Sequence, residues 1–323
     1  MKKNVVIFLF LVIGVCGIWG TGQGDAKASA GQWPQKAIQI IVGNSPGSDT
    51  DFNARAYATR LDKVLGQPAV VVNVPGSNGM VGADQVKNSA PDGYTVNLWN
   101  SAFLVAMAID ASDFTFHDFE VACIAARDDG NAVCVNAKSP YMTLQDLIDD
   151  SIQNPGKVTF AAPVAGNSYL AGCLLNSRAG AKFNIVDAGG TAERAAALLG
   201  GHVTTTLNAM AQSAQYRASG DFRLLAILGR ERNSVYGDIP TAIEEGIDVA
   251  VLSPFFFLFP KGTPKEIVEK FNDAIKTVNE MPDYREHIRN TLQARPVFIR
   301  GQDAVNYLQA QYEEILTVKH LMK

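Results

Sequence analysis

The sequence predicts an α/β protein made of two lobes. A short apolar run, a glycine-rich loop and a helical pattern follow one another in residues 38–65, and the same unit recurs in residues 69–89. Residues 137–228 repeat this architecture without repeating the sequence. Because strand–loop–helix units build parallel sheets covered by helices, two such regions indicate two α/β lobes.

The first unit contains the feature around which the chain is organised. Its apolar run ends in a tight turn at residues 43–47, and the polar residues Ser48, Asp49 and Thr50 follow at the start of a helix that stops at Gly66. Such a turn leaves backbone N–H groups at the carboxyl end of a sheet, where the helix dipole favours negative charge. The sequence therefore predicts a seat for an anion.

The next two strands end in the same way. A strand at 69–72 leads into the glycine-rich loop 75–82 and a short helix, and a strand at 94–99 ends at Asn100 and Ser101. Ligands of open parallel sheets bind outside these carboxyl ends. Small and polar residues at successive strand ends therefore extend the predicted seat.

The remaining elements are predicted from composition and periodicity. Thr143 and Asp146 form a capping box for a helix through Ser151. The other predicted strands are two extended pieces around the turn 128–131 and strands at 158–163, 184–187, 202–208, 222–228 and 251–260. The other predicted helices follow residues 168, 191 and 208, a short one follows Thr241, and further helices start at 264, 283 and 302.

Composition excludes several classes of protein. The chain has 323 residues, 47% of them hydrophobic, and a net charge of −4, which argues against a nucleic-acid surface. The four histidines and the cysteines lack the spacing of metal ligands, and neither a P-loop nor a dinucleotide fingerprint is present. No metal and no cofactor is therefore expected.

The first 30 residues have the order of a secretory signal peptide. Lys2 and Lys3 precede an apolar run at 5–19, and a small, polar segment ends at Ala30. We expect an exported, periplasmic protein with residues 1–30 as the signal peptide. Cys16 lies where a lipoprotein is acylated, but Val15 precedes it, so cleavage near Ala30 is favoured and lipid anchoring stays open.

The exported chain keeps Cys123, Cys134 and Cys173. A hairpin around residues 128–131 would bring the first two near each other, but out of register for a bridge. Burial as small hydrophobic residues is favoured over a disulfide, which stays an alternative.

Residues 43–47 also match the G-x-S-x-G elbow of serine hydrolases. Pro46 follows Ser45 and has no N–H for an oxyanion hole, so we reject this interpretation and expect no enzyme activity. Asp49 and Asp51 fit the first turn of a helix better than an acid–base pair, and Arg55, one turn on, is placed to pair with Asp51.

Ordered motifs along the exported chain resemble a known family. They are Trp33-Pro34, Pro46-Gly47-Ser48-Asp49-Thr50-Asp51, Ala54-Arg55, Leu65-Gly66-Gln67-Pro68, Pro75-Gly76-Ser77-Asn78-Gly79, Ala90-Pro91-Asp92-Gly93-Tyr94, Asn154-Pro155-Gly156-Lys157, Leu199-Gly200-Gly201-His202-Val203, Ile239-Pro240-Thr241 and Gly262-Thr263-Pro264. The chain resembles the periplasmic solute-binding proteins of tripartite tricarboxylate transporters.

The resemblance implies a type II periplasmic-binding fold that clamps its ligand in a cleft between two lobes, without catalysis. It implies a small organic acid as ligand (a di- or tricarboxylate, an amino acid or an aromatic acid), transporter membrane subunits as partners, and a monomer. The ligand-binding residues that it implies are Gly47, Ser48, Asp49, Thr50, Asp51, Ser77, Asn78, Gly79, Asn100, Ser101, Asn167, Ser168, Gly189, Thr191 and Asn208.

Three departures from the family pattern bear on the ligand. Ser48 replaces the second glycine of P-G-G, Asp187 and Ala188 replace the usual Pro-Tyr, and Thr204 replaces an acidic residue. Asp187 adds a negative charge near the predicted cleft, so a ligand with a cationic group or many hydroxyls stays open. Trp99, Phe103 and Tyr169 are candidates to contact the far end of the ligand, or equally core residues.

The lobes are expected at residues 31–125 for the first part of lobe one and 126–235 for lobe two. Residues 236–323 would return to lobe one and add the C-terminal helices. Two other functions are weighed beside transport: a ligand-sensing accessory of a signalling system, and, remotely, a secreted serine hydrolase.

Overall fold

The computed structural model describes residues 33–128, 130–163, 166–233 and 236–322, without the side chains of Asn78 and Ala211. The predicted signal peptide and Cys16 lie outside these ranges. The strands are β1 (Ile38–Val42), β2 (Ala69–Asn73), β3 (Thr95–Trp99), β4 (Phe119–Asp128), β5 (Ala132–Asn136), β6 (Thr159–Ala161), β7 (Asn184–Val186), β8 (Thr205–Asn208), β9 (Phe222–Ile227), β10 (Ser253–Pro260) and β11 (Ala294–Arg300).

The helices cover both sheets that these strands form. They are α1 (Asp49–Leu65), α2 (Met80–Lys87), α3 (Ala102–Ala108), α4 (Leu144–Gln153), α5 (Asn167–Arg178), α6 (Thr191–Leu199), α7 (Met210–Ala218), α8 (Lys265–Glu280), α9 (Pro282–Leu292) and α10 (Gly301–Leu316). None of the helices in the described ranges is long and apolar enough to cross a membrane.

The predicted two-lobed α/β architecture is confirmed. The first sheet has the order β11-β4-β10-β3-β1-β2, with β1 parallel to β2 and β3 and the other pairs antiparallel. The second sheet has the order β7-β6-β8-β5-β9, with β6 parallel to β7 and β8. Each sheet with its helices is one lobe, called here the first and the second.

The backbone crosses between the lobes twice. It leaves the first sheet after Asp128 and joins the second at Ala132, and it returns between Ile227 and Ser253. The extended pieces on either side of the first crossing therefore do not form a hairpin, because β4 pairs with β10 and β11 while β5 pairs with β8 and β9. The residue boundaries predicted for the lobes stay a prediction.

Within the described residues, the structure lacks the predicted hairpin that a disulfide between Cys123 and Cys134 would require. These residues lie in different sheets, and both are buried and free, as is Cys173. Burial raises the pKa of the Cys134 thiol to about 12, so these thiols stay protonated. The favoured interpretation, buried small hydrophobic residues, is confirmed.

Local signals placed most elements correctly. The capping box of α4 is present, with the Thr143 hydroxyl accepting from the Asp146 N–H and the Asp146 carboxylate accepting from the Thr143 N–H. The prediction of a short helix after Thr241 is wrong, because residues 242–246 form turns. The strand β11 and the helix α3 were not predicted.

The core of the first lobe is centred on β10. All eight residues of this strand are buried, as expected for a strand flanked by β3 and β4 and covered on both faces. Phe257 contacts the rings of Tyr57 on α1 and Phe271 on α8 edge-on, at centroid distances of 5.4 and 5.0 Å. This packing fixes α1, and with it the first loop of the site.

Candidate functional site

A cleft of about 710 Å³ lies between the two lobes, within the usual size range of small-ligand sites. Loops that follow β1, β2 and β3 form one wall, and loops that follow β6, β7 and β8 form the other. The described residues that line it are Gly43, Asn44, Ser45, Asp49, Pro75, Gly76, Gly79, Asn100, Ala102, Asn131, Pro163, Gly166, Asn167, Ser168, Asp187, Gly189, Gly190, Thr191, Arg194, Leu207 and Ala209.

Four helices begin at this cleft without a side-chain cap. The residues that precede α2, α5, α6 and α7 are Gly79, Gly166, Gly190 and Ala209, all of which line the cleft, and none makes a capping hydrogen bond through a side chain. The first-turn N–H groups of a helix carry a partial positive charge that attracts anions. The cleft therefore presents helix N-termini from both lobes to whatever it binds.

The first loop is held in shape by Asp51. Its carboxylate accepts hydrogen bonds from the Gly47 N–H (2.9 Å), the Asn73 side chain (2.9 Å) and Arg55 Nε (3.0 Å), and it forms a salt bridge with Arg55. The Asn73 amide also donates to the Asn44 carbonyl. The buried Asp51 thus ties the β1–α1 loop to β2, and its carboxylate faces these partners and not the cleft.

This network makes stability depend on pH. Burial raises the pKa of Asp51, but the hydrogen bonds from Arg55, Gly47 and Asn73 outweigh that effect and leave the pKa below its usual value. The stabilisation is therefore complete above about pH 4, the ordinary value for the group, and is lost as the pH falls through the lower folded-state pKa.

We expect Asp51→Asn to lower the free energy of unfolding at pH 7 by about 1–3 kcal/mol, because it weakens hydrogen bonds to a charged acceptor. The difference from the wild type should shrink below pH 4, where the wild type also loses the charge. Urea unfolding at several pH values measures both effects. The control is Asp62→Asn, an exposed position on the same helix. If the loss of unfolding free energy in Asp51→Asn is as large in acid as at pH 7, the stabilising role of the Asp51 charge is contradicted.

The first two loops approach each other so closely that glycine is required. A Cβ on Gly43 would lie 2.7 Å from the Gly79 Cα, and one on Gly79, whose φ is +92°, would lie 2.5 Å from the Trp99 ring. Because the backbones of the two loops touch, Gly43 and Gly79 line the same wall of the cleft next to each other. Trp99 packs beneath them and stacks on Phe103 at 4.8 Å.

The wall formed by the second lobe contains a buried cation. Arg194 on α6 is 6% exposed, and its guanidinium donates to Thr206 Oγ1 (3.2 Å), the Gly189 carbonyl (3.1 Å) and Thr191 Oγ1 (3.5 Å). All three acceptors are neutral. Burial lowers the pKa of Arg194, and the nearby Glu193 and Asp187 oppose this effect. The ordinary pKa of arginine is so high that the guanidinium stays charged.

Two carboxylates share the walls of the cleft with this arginine. Asp49 lines the cleft and is exposed, and desolvation by the surrounding protein raises the pKa of its carboxyl. Asp187 is exposed and accepts a hydrogen bond from the Gly189 N–H (2.9 Å). The departure at Asp187 therefore does place a negative charge in the cleft.

The structure brings together about half of the residues predicted for the site. Those that line the cleft are Asp49, Gly79, Asn100, Asn167, Ser168, Gly189 and Thr191. Those that lie in or behind the same loops without lining it are Gly47, Ser48, Thr50, Asp51, Ser77, Ser101 and Asn208; the Asn78 side chain lies outside the described part.

Several of the predicted residues that do not line the cleft have hydrogen-bond partners inside the protein. Ser48 caps α1 by accepting from the Asp51 N–H, and Thr50 accepts from the Asn100 amide (3.0 Å). Asn208 is buried and donates to Gln212. The aromatic candidates Trp99, Phe103 and Tyr169 are all buried and do not line the cleft, so the alternative reading as core residues holds.

A polar cluster joins the two lobes at the edge of the cleft. The Ser101 hydroxyl donates to Asn167 Oδ1 (2.9 Å), the Asn167 amide donates to the Ser253 hydroxyl (3.1 Å), and the two serines lie 3.2 Å apart. Ser101 and Ser253 belong to the first lobe and Asn167 to the second. Asn167 therefore lines the cleft while its side chain bridges the lobes.

Sequence reasoning missed Arg194, although a signal was present. Arg194 lies one turn into a helix that starts at the predicted loop residues Gly189 and Thr191. A basic residue three positions after a loop residue lies on the same helix face. The Arg194 side chain returns from the helix to the loop, where it contacts Gly189 and Thr191.

A second concavity lies outside the cleft. It measures about 790 Å³ and is lined by Arg232, Arg285, Arg289 and Arg295 together with Glu231 and Glu286. It is slightly larger than the cleft, but it combines arginines with glutamates. Within the described residues, α9 alone starts there, at Pro282, whose nitrogen has no hydrogen to donate. Among the described residues, no group of three or more His, Cys, Asp or Glu side chains is placed to hold a metal.

Comparison with known proteins identifies the family. The family described as "Tripartite tricarboxylate transporter family receptor" (TctC) matches residues 53–320. A Cupriavidus necator protein described as "UPF0065 protein in gbd 5'region" is 33% identical over 87% of this chain and 86% of its own length. A TctC solute-binding protein from Polaromonas, solved without ligand, is 25% identical, covers 90% of this chain and 99% of its own, and has a TM-score of 0.74.

Two further structures from Rhodopseudomonas palustris hold acids. MatC with bound malate is 23% identical, with a TM-score of 0.77, over 89% of this chain and 100% of its own. A second protein, with adipate, is 24% identical, with a TM-score of 0.80, over 90% of this chain and 99% of its own. At this level of identity, both establish a shared fold.

Proposed function

This chain belongs to the tripartite tricarboxylate transporter receptor family, a family of periplasmic solute-binding receptors and not of enzymes, and we propose that it captures a small organic carboxylate in the cleft between its lobes. The observation that carries the proposal is the convergence on that cleft of one buried arginine and of four helix N-termini that no side chain caps.

The chemistry of the cleft suits a carboxylate. Hydrogen bonds to a charged group contribute about 1.5–3 kcal/mol each, so a few of them supply micromolar affinity, about −8 kcal/mol, after the costs of ordering. The relatives solved with malate and adipate hold ligands of this class. We propose Asp49, Gly79, Asn100, Ser168, Gly189 and Thr191 as the residues nearest the ligand, with Asp51 holding the first loop in place.

We propose further that ligand capture closes the lobes. The two backbone crossings, one between Asp128 and Ala132 and one between Ile227 and Ser253, would serve as the hinge. Hinge closure around a ligand is a common motion of two-lobed binding proteins. The closed, liganded form of the monomer would then deliver its ligand to the membrane subunits of a tripartite transporter. Export on the signal peptide at residues 1–30 would bring the protein to the periplasm.

A thermal-shift screen tests the proposal. A ligand at about 100 to 1,000 times its dissociation constant adds about 3–4 kcal/mol of stability, which raises the melting temperature by several degrees. We expect a shift from at least one di- or tricarboxylate, amino acid or aromatic acid. No shift from any acid, together with a shift from a sugar or an amine without a carboxylate, would show that the cleft does not bind carboxylates.

A further inference from the structure

Arg194 is the one cationic side chain among the described residues that line the cleft. The walls otherwise present Asp49 and Asp187, which repel an anion. Backbone N–H groups at the helix N-termini can hold one carboxylate, but a second carboxylate on the same ligand would face these acidic groups unless a cation received it. The position of the only cation therefore bears on how many carboxylates the ligand carries.

The hydrogen bonds of Arg194 leave part of its guanidinium available. Of its five N–H donors, one on Nε, one on Nη1 and one on Nη2 are used by Thr206, Gly189 and Thr191. One N–H on each terminal nitrogen has no partner among the described residues, and no carboxylate among them lies within 4.0 Å of the group. A bidentate carboxylate takes two such N–H groups.

The guanidinium is also held in place before any ligand arrives. Thr206 is fully buried and donates its own hydroxyl hydrogen to the Ala161 carbonyl (2.9 Å), so the acceptor for Nε is anchored to β6. A buried cation that has only neutral acceptors is costly, and an anion that neutralises it recovers that cost. The arrangement is that of a preorganised site for one carboxylate.

We propose that Arg194 binds a carboxylate of the ligand and makes the protein select dicarboxylates over monocarboxylates of the same length. The inference rests on the proposed function, since it names the ligand class of the same cleft. In this arrangement the first carboxylate lies at the glycine loops of the first lobe that contain Gly43 and Gly79, and the second lies on Arg194 in the second lobe. The ligand itself then bridges the two lobes.

Calorimetric titration with matched acids tests the inference. The probes are adipate against hexanoate and succinate against butyrate, which differ by one carboxylate at constant length. We expect the wild type to bind at least one dicarboxylate more tightly than its partner by about 10- to 100-fold, the contribution of a charge-assisted bidentate pair. Arg194→Gln should remove that preference and leave the monocarboxylate affinity within about twofold, while Arg194→Lys should keep part of it.

Arg223→Gln is the matched control for loss of a positive charge. Arg223 also lies in the second lobe, and it donates to the carbonyls of Ala137, Ser139 and Tyr141 away from the cleft, so the preference should persist in this variant. Equal weakening of both acids by Arg194→Gln would mean that Arg194 only supports the loop, and an unchanged preference would mean that it does not touch the ligand. Either result overturns the inference while carboxylate binding itself stands; a wild type that binds no acid overturns the proposed function as well.

Discussion

Ala209→Asp is expected to abolish most carboxylate binding and at the same time to leave the protein at least as stable. Ala209 lines the cleft and precedes α7, which has no side-chain cap. An aspartate there can accept a hydrogen bond from the first turn of α7 and stabilise it by about 1 kcal/mol. The same carboxylate occupies the anion seat of that helix and repels a ligand carboxylate.

The expected loss of affinity is large. Two like charges about 4 Å apart cost between about 1 kcal/mol in water and about 4 kcal/mol near a protein surface, which corresponds to roughly 5- to 1,000-fold in the dissociation constant. Titration of the acid that gives the largest thermal shift measures it. Ala310→Asp is the control for net charge, because Ala310 is exposed on α10 outside the cleft. Equal affinity of the Ala209→Asp and Ala310→Asp proteins for the acid would show that the acid does not bind near Ala209.

Phe257→Ala is expected to cause the largest loss of stability. Phe257 is fully buried in the middle of β10, between the rings of Tyr57 and Phe271. Truncation of a buried phenylalanine removes its transfer free energy and leaves a cavity, at a cost of about 3–5 kcal/mol. Because Tyr57 lies on α1, the cavity also loosens the helix that carries the first loop.

Urea unfolding measures this effect against a matched substitution. Phe52 lies on the same helix α1, but 47% of it is exposed, so Phe52→Ala should change the free energy of unfolding by no more than about 0.5 kcal/mol. A similar loss in both variants would contradict the central role given to β10.

Local chemistry explains which parts of the fold were predictable. The elements β1, α1, β10 and α4 were predicted from glycine loops, capping residues and apolar runs, because each of these signals depends on a few neighbouring residues. The strand β11 was missed because it contains Pro296, which suggests a break in a strand. β11 is an edge strand whose pairing with β4 shifts register after Pro296, so the proline is tolerated there.

The candidate site was predictable as loops but not as side-chain contacts. The sequence placed Gly79 and Asn100 near the ligand, because both follow strands of a parallel sheet and ligands bind outside the carboxyl ends of such strands. The role of Asp51 depends on Asn73, which reaches it only through the pairing of β1 with β2. In the same way, Arg194 is directed to its place by Thr206 on β8, and this contact exists only in the folded lobe.

The most direct test of carboxylate capture is a crystal structure of the protein with the acid that gives the largest thermal shift. We predict one molecule of acid between the lobes, with one carboxylate at the loops that contain Gly43 and Gly79 and contacts to the N-termini of α5 and α6. Acid bound instead in the arginine-lined concavity at Arg285 and Arg289, with the cleft holding only water, would contradict the account.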